Sequence, residues 1–228
     1  MLVRFSLIYL FPLAAALVSC ASQQLALRSS DRIIFFGDSI TELGVKPGGY
    51  ITLLRDTLQQ KLPGIELTGA GISGNKVPDL QKRLDRDVIS RRPTIVFIYI
   101  GINDVWHWVL KNLSGTTKEA YADGLRSIIT TIQASGGRVI LCTPTVIGEK
   151  QNGANPQDAM LDEYAGLSRR VAEETGAALC DLRTSFVEYL RHHNPADREK
   201  GILTYDGVHL SDEGNRLVAR TMLTALGK

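Results

Sequence analysis

An excess of charge of one sign is the first thing this chain lacks: 26 Lys and Arg stand against 24 Asp and Glu, a formal net charge of +2 over 228 residues. That balance, with no basic run interleaved with aromatics, excludes nucleic acid as the partner electrostatics would select. Cysteine is scarce, three in all, so no disulfide framework organises the chain. No cluster of cysteine, histidine and carboxylate residues signals a metal, and no other cofactor is called for. His192-His193 has no such company and reads as a solvated helix end. Internal repeats and low-complexity segments are absent. What is present, 44% hydrophobic and 22% charged residues, suits a single domain with a sizeable core.

The N-terminus differs from the rest. Met1–Phe5 carries only Arg4, Ser6–Val18 is nearly all apolar, and Leu17-Val18-Ser19-Cys20 closes the segment. An apolar core interrupted by Pro12 and shorter than the roughly 20 residues of a spanning helix reads as an export signal, not a membrane span. Leu-Val-Ser-Cys resembles the bacterial lipobox, which implies cleavage before Cys20 and lipidation of that residue. Ala21 and Ser22 follow without an aspartate, which by the same resemblance implies a periplasm-facing lipoprotein of the outer membrane. The expected division is a signal over 1–19, a tether over 20–30 and one domain over 31–228, with membrane contact only through the Cys20 lipid. Cys142 and Cys180 then remain, each near the end of an expected strand. Both read as small buried residues, and a disulfide between them stays open.

Hydrophobic periodicity orders the domain. Ile33-Ile34-Phe35-Phe36 reads as a central strand, Ile65–Thr68 as a second and Thr94–Ile100 as a third, buried on both faces; Arg138–Thr143 and Ala177–Leu182 supply two more. Between them Tyr50, Leu54 and Leu58, then Val77, Leu80, Leu84 and Val88, recur at helical spacing. Further helices are expected over 117–134 and 156–175, briefly around Phe186–Leu190, and from a Ser211 cap to Leu226. Strands alternating with helices predict an α/β/α sandwich on a five-stranded parallel sheet, with 69–75, 101–116 and 144–155 as loops.

The strand exits carry the polar residues. Strand one exits into Gly37-Asp38-Ser39, strand two into Gly71-Ile72-Ser73-Gly74-Asn75, and strand three into Gly101-Ile102-Asn103-Asp104; a late turn carries Asp206 and His209. Alone, Ser39 is an ordinary helix cap. In a parallel sheet, however, these exits share one edge, where ligands bind. A serine nucleophile needs a base, a group to orient that base, and donors for the developing oxyanion. His209, Asp206, the Ser39 and Gly74 backbone N–H groups and the Asn103 amide are of those types. Gly69-Ala70-Gly71-Ile72-Ser73-Gly74 also fits the G-x-G-x-x-G dinucleotide pattern, but it follows the second strand, and residues 89–93 hold no acid for a ribose.

In order along the chain, these blocks resemble the SGNH, or GDSL, hydrolases: Gly37-Asp38-Ser39, the Gly74 glycine, Gly101-Ile102-Asn103-Asp104 and Asp206-Gly207-Val208-His209. The resemblance implies a flavodoxin-like fold, with Ser39 as nucleophile, His209 as base and Asp206 as its orienter. One departure is Gly69, where the second block often begins with asparagine. Asp38 reads as an acceptor that fixes the turn, and is grouped with Trp106 and His107 as a candidate substrate contact; Trp106 and Trp108 serve equally as packing. The expected activity is hydrolysis of short-acyl carboxylic esters, acetyl esters of carbohydrates among them, through an acyl-enzyme. A lysophospholipase or thioesterase acting on longer chains, and a non-catalytic glycan-binding surface lipoprotein, stay open as alternatives.

Overall fold

The computed structural model describes residues 27–110 and 112–227. The expected signal and Cys20 lie outside the described residues. Leu27, within the expected tether, packs against the core, so the folded part takes in the end of that tether.

Five parallel strands make one sheet in the order β2-β1-β3-β4-β5: β1 Arg32–Gly37, β2 Glu66–Gly71, β3 Ile95–Tyr99, β4 Arg138–Cys142 and β5 Ala178–Cys180. The central strand β3 is buried at every residue, which is why it carries an unbroken apolar run. Its Phe97 stacks on Phe35 of β1, ring centroids 5.1 Å apart and planes 7° from parallel. Tyr50 meets Phe35 edge-on at 5.8 Å.

Among the described residues eight α-helices surround the sheet: α1 Ser39–Gly44, α2 Tyr50–Gln59, α3 Val77–Asp87, α4 Ile102–Trp106, α5 Lys118–Ala134, α6 Asp158–Thr175, α7 Leu182–His193 and α8 Asp212–Ala225. The six longer ones fall into two packed groups, α2 and α7 against α8, and α3 and α6 against α5, forming the two outer layers of the sandwich. Chain order places β1 and β3 side by side while their connecting helices belong to different layers. The crevice at their carboxyl ends is the topological switch point of the sheet.

Several boundaries differ from the sequence expectation, for physical reasons. β2 runs on through Gly69, Ala70 and Gly71, which pair in register with Phe35, Phe36 and Gly37. Glycine carries no strand signal, but here it makes room: a Cβ on Gly71 would lie 2.1 Å from the Glu42 backbone nitrogen, and one on Gly69 2.4 Å from Val45 Cγ1. The helix α4 occupies part of the 101–116 stretch expected as loop, because five residues are too few to show a helical period. The last strand ends at Cys180, where Asp181 caps α7 by accepting from the Thr184 N–H at 3.2 Å. Cys142 and Cys180 stand opposite each other on neighbouring strands as free, buried thiols. Burial and the neighbouring Cys180 push the Cys142 thiol well above its ordinary pKa.

Candidate active site

Ser39 is the first residue of α1, directly beyond the end of β1. Asp38 makes the corner: its Oδ1 accepts from the Ile40 N–H at 3.0 Å, and its carbonyl accepts from the Glu42 N–H at 2.9 Å. The cap satisfies donors that a helix start leaves open and leaves the Ser39 hydroxyl at the crevice. Burial raises the Asp38 pKa to about 7; the Ile40 N–H partly offsets that, and the charge of Asp104 adds to it.

His209 reaches the same corner from the opposite end of the chain. Residues 204 and 210 form an antiparallel bridge around a tight turn in which the Asp206 Oδ1 accepts from the Val208 N–H at 2.9 Å and the His209 N–H at 2.8 Å. With that oxygen committed to the backbone, Oδ2 accepts from His209 Nδ1 at 2.7 Å. The ionised carboxylate can only accept, so it fixes the proton on Nδ1 and leaves Nε2 as the acceptor for the Ser39 hydroxyl, 2.9 Å away. Burial tends to raise the Asp206 pKa, but the hydrogen bonds from the His209 ring and from the two backbone N–H groups prevail and hold it below the ordinary range.

The turn is itself held from beneath. Glu149, fully buried, accepts from the Ile202 N–H at 2.9 Å, the Leu203 N–H at 2.7 Å, the Thr204 N–H at 2.5 Å and the Thr204 hydroxyl at 2.7 Å. Next to it, the Gly148 N–H donates to the Gly207 carbonyl at 2.8 Å.

The three expected oxyanion donors sit on the exits of three adjacent strands. Among the described residues, neither the Ser39 nor the Gly74 N–H has a protein acceptor. Asn103, buried in α4, gives one amide hydrogen to the Asn75 carbonyl at 3.0 Å, which orients the side chain and leaves its second hydrogen for a ligand. Gly101, ahead of α4, has φ +125°, and a Cβ there would stand 2.7 Å from the Tyr121 hydroxyl, so the block requires glycine. The loop carrying Gly74 is tied to α1 through Glu42, whose Oε2 accepts from the Ser73 N–H at 2.7 Å and the Ser73 hydroxyl at 2.5 Å.

The expected substrate contacts fare differently. Asp38 is an interior capping group, 2% exposed, and not a side chain presented to a ligand. His107 is buried as well; burial first, and then the positive charge of Lys76, lower its pKa. Trp106 packs half-buried against the core, because the turn of α4 directs it inward. An aromatic residue with little signal in the sequence stands beside His209: Tyr205, 57% exposed, lies parallel to the His209 ring within 17° at a centroid distance of 5.8 Å. Its one sequence signal is adjacency to Asp206. Among the described residues no group of three or more His, Cys, Asp or Glu side chains is gathered as a metal site.

This constellation can activate a hydroxyl and receive an oxyanion, and comparison with known proteins agrees with that chemistry. The profile of the GDSL-like lipase/acylhydrolase family matches residues 35–217. The chain belongs to that family. A crystal structure of an acetyl xylan esterase superposes with a TM-score of 0.83 at 43% sequence identity, covering 86% of this chain and 99% of the other. The acetylxylan esterase of Geobacillus stearothermophilus is 33% identical over 87% of this chain and 95% of its own length. The human isoamyl acetate-hydrolyzing esterase 1 homolog is 28% identical over 82% of this chain and 77% of its own. This member of the GDSL-like family is a carboxylic ester hydrolase with a parallel α/β/α fold.

Proposed function

We propose that this esterase removes acetyl groups from carbohydrate esters, with Ser39 as nucleophile, His209 as general base and Asp206 as the group that orients it. The observation that carries the reading is the unbroken chain from Asp206 Oδ2 to His209 Nδ1 at 2.7 Å and from Nε2 to Ser39 Oγ at 2.9 Å. His209 takes the hydroxyl proton as Oγ bonds to the ester carbonyl carbon. The oxygen of the tetrahedral intermediate is received by the Ser39 and Gly74 N–H groups and the Asn103 amide. The carbon–oxygen bond to the sugar then breaks, and His209 passes its proton to the departing hydroxyl. Water, deprotonated by the same imidazole, attacks the acyl-enzyme and releases the acid and Ser39.

The acetyl preference is supported by the acetyl esters named in the relatives. The carbohydrate leaving group is supported by Tyr205, whose exposed face beside the base suits the apolar face of a sugar ring. The test is a hydrolysis panel of nitrophenyl esters from two to about ten acyl carbons together with acetylated xylo-oligosaccharides, run with Ser39→Ala as the blank. Rates falling with acyl length, acetate released from the oligosaccharides and no turnover by Ser39→Ala are expected. Rates rising toward the long esters would move the substrate to lysophospholipid or thioester, and parent-level turnover by Ser39→Ala would overturn the nucleophile. We further propose that Cys20 carries a lipid anchor in the outer membrane; Cys20→Ser should shift the protein from the membrane to the soluble fraction of its host, and an unchanged distribution would refute the anchor.

A further inference from the structure

An arginine lies buried on the apolar stripe of α3, directly beneath the exits of β1 and β2. Arg83, 7% exposed, has its guanidinium 4.5 Å above the Phe36 ring, within cation–π range. Nη2 donates to the Gly37 carbonyl at 2.6 Å, two residues before Ser39. Nη1 donates to the Ala70 carbonyl of β2 at 3.0 Å and to Asp87 Oδ2 at 2.9 Å. Nε donates to the Asn75 side-chain oxygen at 2.7 Å, and Asn75 in turn accepts the Asn103 amide on its carbonyl.

One rigid, planar group therefore touches the backbone leading to Ser39, the strand leading to Gly74 and the residue that orients Asn103. Burying an arginine is costly, and a structural brace between α3 and the sheet needs only an apolar side chain there. The fork is instead spent on the supports of three oxyanion donors that come from separate strand exits.

We propose that Arg83 is a positioning residue that sets the relative geometry of the oxyanion hole. This rests on the assignment of Ser39, Gly74 and Asn103 as that hole. Arg83 touches no reacting atom, so its removal acts on the transition state and spares substrate binding and the triad.

The test uses Arg83→Met, Arg83→Lys and Asn75→Ala in the full protein, with Asn103→Ala as reference and thermal melting as a check of folding. Arg83→Met should lower kcat by about 10–100-fold with KM within about threefold and an unchanged pH profile, because displaced donors cost transition-state stabilisation alone. Arg83→Lys keeps the charge without the fork and should recover little. Affinity for a boronic acid that forms a tetrahedral adduct on Ser39 should fall by the same factor as kcat. Combined with Asn103→Ala, Arg83→Met should cost less than it does alone, since one of the three donors it sets is already gone. If Arg83→Met does not fold, Asn75→Ala, which severs only the Nε tie, decides by the same criteria. Folded variants at the parent kcat, or losses that multiply in the double variant, would overturn the inference while leaving the hole intact if Asn103→Ala is impaired. Parent-level activity in Asn103→Ala would instead defeat the assignment of the hole itself.

Discussion

Asp38→Asn isolates the energetic consequence of placing an acid at the corner that presents the Ser39 hydroxyl. The carboxyl is 2% exposed, and burial raises its pKa from 3.8 to about 7. In the unfolded chain the same group ionises near its ordinary value, so between about pH 4 and pH 7 the native state holds more protons than the unfolded state. Stability therefore falls as pH rises through that window: the contribution is fully present below the unfolded pKa, lost as pH climbs toward 7, and level above it. A difference of about three pH units corresponds to roughly 4 kcal/mol at 1.36 kcal/mol per unit. Asparagine keeps an amide oxygen to accept from the Ile40 N–H, so the cap of α1 survives while the ionisation disappears. Urea unfolding followed by the fluorescence of Trp106 and Trp108, on parent and variant across pH 4 to pH 8.5, measures the difference. The variant should gain on the parent progressively with pH, by up to about 4 kcal/mol at the alkaline end. A stability difference constant to within about 1 kcal/mol over that range would refute the argument, because it would mean the buried carboxyl ionises as easily in the fold as outside it. Asp104, whose pKa burial raises to about 6, adds a slope of the same sign in both proteins and so cancels to first order in the comparison.

Two further outcomes are expected. Asp206→Asn retains an oxygen for the Val208 and His209 N–H groups but sets an amide against Nδ1, disfavouring the tautomer that accepts from Ser39; kcat should fall by about 10²–10⁴-fold with the melting temperature nearly unchanged. Glu149→Ala strands the buried Leu203 and Thr204 N–H groups and the part-buried Ile202 N–H under the turn that carries Asp206 and His209, and should cost on the order of 4 kcal/mol of stability; hydrogen exchange at residues 202–204 should quicken before global unfolding.

How much of this was legible beforehand divides along physical lines. The strands β1, β3 and β4 announce themselves because a strand covered on both faces must be apolar throughout. The long helices α5 and α6 do so because one face must be. Ser39 and Asn103 are grouped for a different reason: side chains at strand exits stand at one sheet edge whatever the details of packing, whereas His209, on a late turn that follows no strand, joins them in sequence only by residue type and by the family resemblance. Asp38 and His107, expected as substrate contacts, stand buried in the fold, because a polar residue beside a site looks the same in sequence whether it faces the ligand or the interior. Only the short turns of α1 and α4 decide which.

Sequence alone determined the layered α/β architecture and the grouping of the strand exits, and it supplied the candidate side chains for the proposed hydrolysis, since each follows from local periodicity or from residue type at a fixed place. Tertiary structure decided how those side chains are held: Arg83 beneath the Gly37 and Ala70 carbonyls, Glu149 beneath residues 202–204, and Tyr205 alongside His209. Arg83 left one trace, a charge on the apolar stripe of α3 between Leu80 and Leu84, and Glu149 left none within its loop. Gly37 lies 46 residues from Arg83, and Ile202 and Leu203 lie more than 50 from Glu149, and a hydrogen bond between distant segments exists only once the fold has brought them together.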